Sequence, residues 1–138
     1  MRFAGRVFKV GRYWAIEVPI LGVTSQGRTR KDAFRMIADA IEALVNKPGF
    51  KLKVFPGEKG YFEVGANNQA VLTAFLLRRK RTKAGLSLVE VAKRLGARSL
   101  NAYARYEQGR SVPTVSKLTV LLAAVASHKD FVIAESGM

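Results

Sequence analysis

The spacing of apolar residues divides this 138-residue chain in two, and that division limits the fold more than any other feature. Up to about residue 66, stretches with apolar residues at every second position, the period of a half-buried strand, flank one stretch of helical period. Beyond it apolar residues recur only at every third and fourth position, the period of a helix. In residues 6–18, Val7, Phe8 and Val10 precede Gly11-Arg12, and Tyr13, Trp14, Ile16 and Val18 follow. The pattern predicts a hairpin that turns at Gly11-Arg12. Pro19 has no amide hydrogen for a ladder and ends the second strand. Residues 20–28, with Gly22, Ser25 and Gly27, read as a loop.

A helix is expected from Thr29, whose hydroxyl and Asp32 three residues on have the spacing of a capping box. Phe34, Ile37, Ile41 and Leu44 would form its apolar stripe, and Pro48-Gly49 would stop it. A second hairpin should pair residues 50–55 with 61–64 across Pro56-Gly57-Glu58-Lys59-Gly60. The expected order is ββαββ, an antiparallel sheet with a helix on one face. Four helices are expected after it. They span residues 69–83, with Val71, Leu72, Phe75 and Leu76 inward; about 87–95, closed by Gly96; about 99–108, closed by Gly109; and 114–126, behind Pro113. Residues 65–68 read as the linker, so the chain is an α+β protein with a sheet domain at 1–66 and a helical domain at 67–138. The tail from residue 130, with Phe131, Val132 and Ile133, is either an extra strand or frayed.

The charge narrows the partners. The formal net charge is +14 and the sequence pI is near 10.7. Residues 1–69 hold 12 basic and 6 acidic side chains, a net +6, and the remainder 12 and 4, a net +8. Both halves therefore favour a polyanion, nucleic acid first and an anionic membrane surface second. The uncharged stretch at 118–126 is too short for the roughly 20 residues of a membrane span. Arg2, Arg6 and Lys9 are not followed by the apolar run of a secretory signal. The absence of cysteine excludes a disulfide framework and Cys-based zinc sites, and suits a cytoplasmic protein.

No enzyme class fits. Two-metal nuclease chemistry needs clustered carboxylates, whereas Glu17 and Glu63 on strands and Asp39 and Glu42 on the helix read as solvent-facing. His128 is the only histidine and has no triad context, no Gly-x-Ser-x-Gly elbow occurs, and the glycines at 57 and 60 belong to a hairpin turn. No catalytic residue, metal or cofactor is expected.

Residues 86–96 read as a short helix capped by Ser87, with Val91, Ala92 and Leu95 inward. Residues 99–110 read as the second helix of a helix-turn-helix, which can enter the major groove. Tyr103 and Tyr106 stand three apart on it, and Leu100, Asn101 and Arg105 lie on the opposite, exposed side, toward the DNA. Asparagine pairs with adenine and arginine with guanine, and a leucine can touch a thymine methyl. Ser87, Ser99 and Arg110 would hold phosphates at the helix ends. The run Arg78-Arg79-Lys80-Arg81-Thr82-Lys83 reads either as a solvated helix end favoured by the dipole or as a phosphate patch, in which Arg79 and Arg81 would take part.

Two resemblances follow from these motifs. Residues 86–126 resemble the Cro/C1 (Xre-type) helix-turn-helix domain, above all Tyr103-Ala104-Arg105-Tyr106-Glu107-Gln108-Gly109-Arg110 followed by Pro113, with one residue more than usual between the two helices, around Arg98; the resemblance implies that Tyr103 and Tyr106 pack in the core. In the first half, Trp14-Ala15-Ile16-Glu17-Val18-Pro19, Gly22-Val23-Thr24-Ser25-Gln26-Gly27 and Arg30-Lys31-Asp32-Ala33 resemble the HicB antitoxin domain, with Val23 where that family often has cysteine. The resemblance implies a type II antitoxin. Its first domain, a partial RNase H-like fold, would bind a small HicA-like RNA-cleaving toxin, and its second would repress the operon. The toxin contacts would come from the loop at 19–26 and the sheet edge beside it, through Pro19, Leu21, Val23 and Gln26. HicA-like toxins are often basic, and the acids available to meet one are Glu17, Asp32, Asp39 and Glu42. Such DNA readers bind paired half-sites, which implies a homodimer or higher even oligomer, joined by the sheet edge or the last helix. The alternative is a stand-alone Cro/C1-type repressor whose first domain serves dimerisation or ligand sensing.

Overall fold

The computed structural model, which describes residues 1–96 and 100–138, turns the first alternating stretch into a hairpin of β1 (Phe3–Val10) and β2 (Tyr13–Val18). Gly11 takes φ 58° at its turn, as the pattern requires. β1 begins three residues earlier than the alternation shows. The reason is Gly5: it sits opposite Phe62, whose ring lies where a side chain would be, 2.2 Å from an ideal Cβ. The strand thus buries Phe3, Gly5 and Val7 on one face, but its middle core position carries no apolar side chain to announce it.

The stretch read as a loop is a correction. Pro19–Leu21 makes one turn of 3-10 helix, and Val23–Gly27 is a strand, β3, paired with β2 from Val18↔Val23 to Trp14↔Gly27. Its inward positions are Val23, Ser25 and Gly27. Small residues are needed there because α1 (Arg30–Val45) lies directly over them: a Cβ on Gly27 would meet the Ala33 nitrogen at 2.4 Å. The order is therefore βββαββ, with β4 (Leu52–Pro56) and β5 (Tyr61–Ala66) closing an all-antiparallel sheet of order β3-β2-β1-β5-β4.

The first turn of α1 is capped as expected on one side. The Thr29 hydroxyl accepts from the Asp32 amide at 3.0 Å, but the Asp32 carboxylate accepts from the Arg28 amide instead of closing the box on Thr29. The buried stripe is Ala33, Ile37, Ile41 and Val45. The expected stripe through Leu44 is displaced by one residue, and Leu44 is exposed, because the small Ala33 must face Gly27 and so sets the helix rotation. Phe34 rests edge-on against Phe62, ring centres 5.4 Å apart. The helix ends at Val45, where Asn46 adopts a left-handed conformation, before Pro48-Gly49.

Two compact units result, Met1–Gln69 with Ser136–Met138, and Ala70–Glu135. Residues 65–68 are not a loose linker. Gly65 and Ala66 belong to β5, and the Asn67 side chain bonds both the Lys51 amide (2.9 Å) and the Gly49 carbonyl (2.8 Å). The tail forms no strand, and its last three residues join the sheet unit. There they enclose Glu63, which is 3% exposed and not solvent-facing. The Glu63 carboxylate accepts from the Tyr61 hydroxyl at 2.5 Å, the Ser136 hydroxyl at 2.8 Å, the Gly137 amide at 3.3 Å and the Arg2 guanidinium at 3.3 Å.

The second unit is helical: α2 (Gln69–Lys83), α3 (Leu88–Arg94), α4 (Leu100–Glu107) and α5 (Val115–Val125). Burial in α2 exceeds the expected stripe, taking in Thr73, Ala74 and Leu77 as well. Leu77, Val91, Tyr103, Leu121 and Val125 are among the most deeply buried side chains.

Two outcomes are expected of the sheet unit. Gly27→Ala should destabilise it by about 1–3 kcal/mol, since a helix backbone must move to admit the methyl group. The second concerns acid. The Tyr61 hydroxyl first, then Ser136 and Arg2, hold the Glu63 carboxyl below the ordinary value of 4.5. A lowered folded-state pKa stabilises above the unfolded-state value and is lost as pH falls through the folded-state one. The thermal midpoint followed by the fluorescence of Trp14, the only tryptophan, should therefore drop below about pH 4.5. Glu63→Gln should lower the midpoint at neutral pH and make the acid drop shallower.

Candidate nucleic-acid interface

α3 and α4 are short, and their ends are held by local bonds. Ser87 caps α3 in a complete capping box: its hydroxyl accepts from the Glu90 amide at 3.1 Å, and the Glu90 carboxylate accepts from the Ser87 amide at 3.2 Å. The Ser87 amide first, then the Ser87 hydroxyl, hold the Glu90 carboxyl below its ordinary range. Gly96 follows α3 with φ 65°. At the end of α4, Gly109 donates to Tyr106 at 3.1 Å and Arg110 to Arg105 at 3.0 Å, the paired bonds of a Schellman end. That arrangement needs a left-handed residue, and Gly109 supplies it with φ 73°.

The burial of α4 divides its residues. Tyr103 and Ala104 are buried, and Tyr106 is half-buried. Leu100, Asn101, Ala102, Arg105 and Gln108 are exposed. Asn101, Arg105 and Gln108 are spaced by four and three, so they share one face. Gln108 joins the expected pair on that face, and its spacing from Asn101 is the only signal of this in the sequence. Arg110, just beyond, is exposed. Ser99 and the additional residue around Arg98 lie outside the described residues.

The cationic run at the end of α2 does not act as one patch. Arg81 turns inward and is a correction to its expected phosphate role. Its Nε and Nη2 bond the Glu107 carboxylate at 2.8–3.0 Å, and its Nη1 bonds the Leu86 carbonyl at 2.9 Å. The Arg81 side chain is 16% exposed and that of Glu107 7%. Glu107 holds the guanidinium pKa above its ordinary value. The neighbours divide otherwise: the Arg78 guanidinium lies over the Phe75 ring, and Lys80 faces the Phe131 ring at 5.6 Å. Burial first, then Lys83 and Lys129, push the Lys80 pKa down. Arg79 is half-buried and Lys83 exposed. Ser87 is exposed at the start of α3, with its hydroxyl oxygen engaged as the cap.

Of the residues expected to meet a toxin, Leu21 and Val23 are corrections. They are 1% and 4% exposed, because Leu21 plugs the sheet core and Val23 is the first inward position of β3. Pro19 and Gln26 are exposed.

Residues 74–129 match a protein family described as a helix-turn-helix domain. No curated protein matches the chain. The second unit is thus a helix-turn-helix domain, the class that binds DNA by laying one helix in the major groove. No helix among the described residues is long and apolar enough to cross a membrane.

The ion pair and Tyr103 make separable demands on stability. Arg81→Ala leaves Glu107 buried and unpaired, and should cost about 3–5 kcal/mol in urea titrations, whereas the double replacement Arg81→Met with Glu107→Leu should recover most of the loss. Tyr103→Ala should cost about 3–5 kcal/mol. Tyr103→Phe should be close to neutral, because the hydroxyl makes no hydrogen bond of good geometry.

Proposed function

We propose that this protein is an antitoxin of the HicB type, which represses its own operon through the helix-turn-helix unit and captures a small RNA-cleaving toxin with the sheet unit. The observation that carries the DNA half is the division of α4: Tyr103, Ala104 and Glu107 are taken up inside the unit, and Leu100, Asn101 and Arg105 are exposed. Arg105 has the donors to bridge a guanine and Asn101 the donor and acceptor to bridge an adenine, while Arg79 and Arg110 supply phosphate contacts. Two copies reading half-sites about one DNA turn apart make a homodimer the working form. The toxin half draws on the βββαββ sheet ahead of the DNA reader and on the HicB-like motifs it carries. Pro19 and Gln26 are the contact candidates that are exposed. The protein acts by binding, without catalysis or cofactor.

A stand-alone repressor is the second reading, favoured by the net +6 of the first half, which suits a basic toxin poorly. Co-expression with the adjacent small open reading frame separates the two. A toxic product that is silenced and co-purifies in fixed ratio supports the antitoxin, and a harmless product that does not bind leaves the repressor.

Binding titrations at two salt concentrations test the reader. Arg105→Ala should cost about 1–3 kcal/mol and relax preference at one base pair, while Arg79→Ala should weaken all sequences alike and reduce the salt slope by about one. An unchanged specificity with Arg105→Ala, in a folded protein, removes α4 as the reader.

A further inference from the structure

The sheet of the first unit carries α1 on one face, and the opposite face is finished unevenly. Across β5 and β4 it is closed by its own chain: Arg2 stacks on the Phe55 ring at 3.5 Å, and Ser136 and Gly137 sit on Glu63 beside Tyr61. Across β1, β2 and β3 it is bare. The pairings Val10↔Tyr13, Phe8↔Ala15 and Arg6↔Glu17, continued by Ala15↔Gln26 and Glu17↔Thr24, put all of these residues on that one face. Phe8 is 44% exposed, Val10 56% and Tyr13 51%. Phe8 and Tyr13 are diagonal neighbours on adjacent strands, a relation that sets side chains about 7–8 Å apart.

Cations frame the two rings. Arg6 stands on the same strand as Phe8, Arg12 in the turn next to Tyr13, and Arg2 and Lys53 toward the far edge. Arg6, Arg12 and Lys53 are exposed, and the Arg2 side chain is 43% exposed. The carboxylates on this face are Glu17, half-buried, and Glu63, which is buried and bonded within the unit. Exposed π-faces on an open sheet bordered by arginines form the chemistry of single-stranded nucleic-acid binding, in which bases stack on rings and cations follow the phosphates. Gln26 and Thr24, both exposed on the adjoining strand, offer the donor and acceptor that a ribose 2′-hydroxyl requires.

We propose that the bare face of the sheet, centred on Phe8 and Tyr13, binds single-stranded RNA. A second copy of the chain suits it less. Self-pairing would bring Arg6 and Arg12 toward their own equivalents, and a patch of three exposed apolar side chains is far smaller than the roughly 800 Å² per partner of a stable interface. A basic protein is disfavoured by the same cations; Gln26 is shared with the candidate toxin contact, but Phe8 and Tyr13 carry this site independently of that reading.

The test is fluorescence anisotropy of a labelled oligouridylate of about ten nucleotides with the full chain, beside oligothymidylate and duplex RNA of the same length. The paired substitution Phe8→Leu with Tyr13→Leu keeps apolar bulk and removes the π-faces. It should weaken RNA binding by about tenfold or more and leave duplex DNA binding unchanged. Arg105→Ala should leave RNA binding unchanged. If the paired variant fails to fold by circular dichroism, Arg6→Gln with Arg12→Gln tests the same face, with a salt slope smaller by about 1.4 expected. Three results overturn the proposal: RNA affinity unchanged in these variants, oligothymidylate or duplex RNA bound as tightly as the oligouridylate, or a wild-type dimer that sedimentation shows becoming a monomer in the paired variant.

Discussion

The guanidinium of Arg81 lies between the Glu107 carboxylate and the Leu86 carbonyl, and the helical unit is organised around it. Removing two charges from water costs nearly as much as their attraction returns, so such a pair adds little net stability. What it contributes is position. One end of the pair is in the last turn of α2, the other is the last residue of α4, and the carbonyl is the residue just before the cap of α3. A one-turn slip of α4 would leave both charges buried and unpaired. With Tyr103 and Ala104 buried on the same helix, only one rotation satisfies all three, and that rotation leaves Asn101 and Arg105 outward.

The sheet unit solves the reverse problem, a buried acid in a basic protein. Glu63 is reached by Arg2 near one end of the chain and by Ser136 and Gly137 near the other, with Tyr61 from its own strand. The packing around α1 is equally specific. Phe62 fills the space above Gly5, and the α1 backbone fills the space above Gly27. Both contacts use the absence of a side chain as the complementary shape, which is why this face of the sheet closes tightly while half of the other remains bare.

Much of this was legible along the chain, and the exceptions share a cause. The first hairpin, α2 at residues 69–83, the Thr29 and Ser87 caps, and the ends of α3 and α4 at Gly96 and Gly109 all follow from neighbours within a few residues. β3 looks like a loop in the sequence because Ser25 and Gly27 hold its inward positions, and smallness there has meaning only once α1 is overhead. The stripe of α1 was displaced for the same reason. In α4 the division between Tyr103 and Arg105 was readable from the helical spacing together with the Cro/C1 resemblance. The fate of Arg81 was not, because six consecutive polar residues at a helix end look alike until Glu107, 26 positions away, selects one of them.

The sequence by itself determined most of the elements (β3 and the 3-10 turn excepted), the order of the rest, the excess of positive charge and the outward face of α4. These depend on periodicity, caps and composition, which are local or additive. Only the tertiary structure decided which charges are spent inside, which small residues are strand cores, and that Leu21 and Val23 are packed rather than presented. Those outcomes depend on contacts between distant segments. Burying a charge or closing a gap is favourable only when the partner arrives, and the chain does not name the partner in advance.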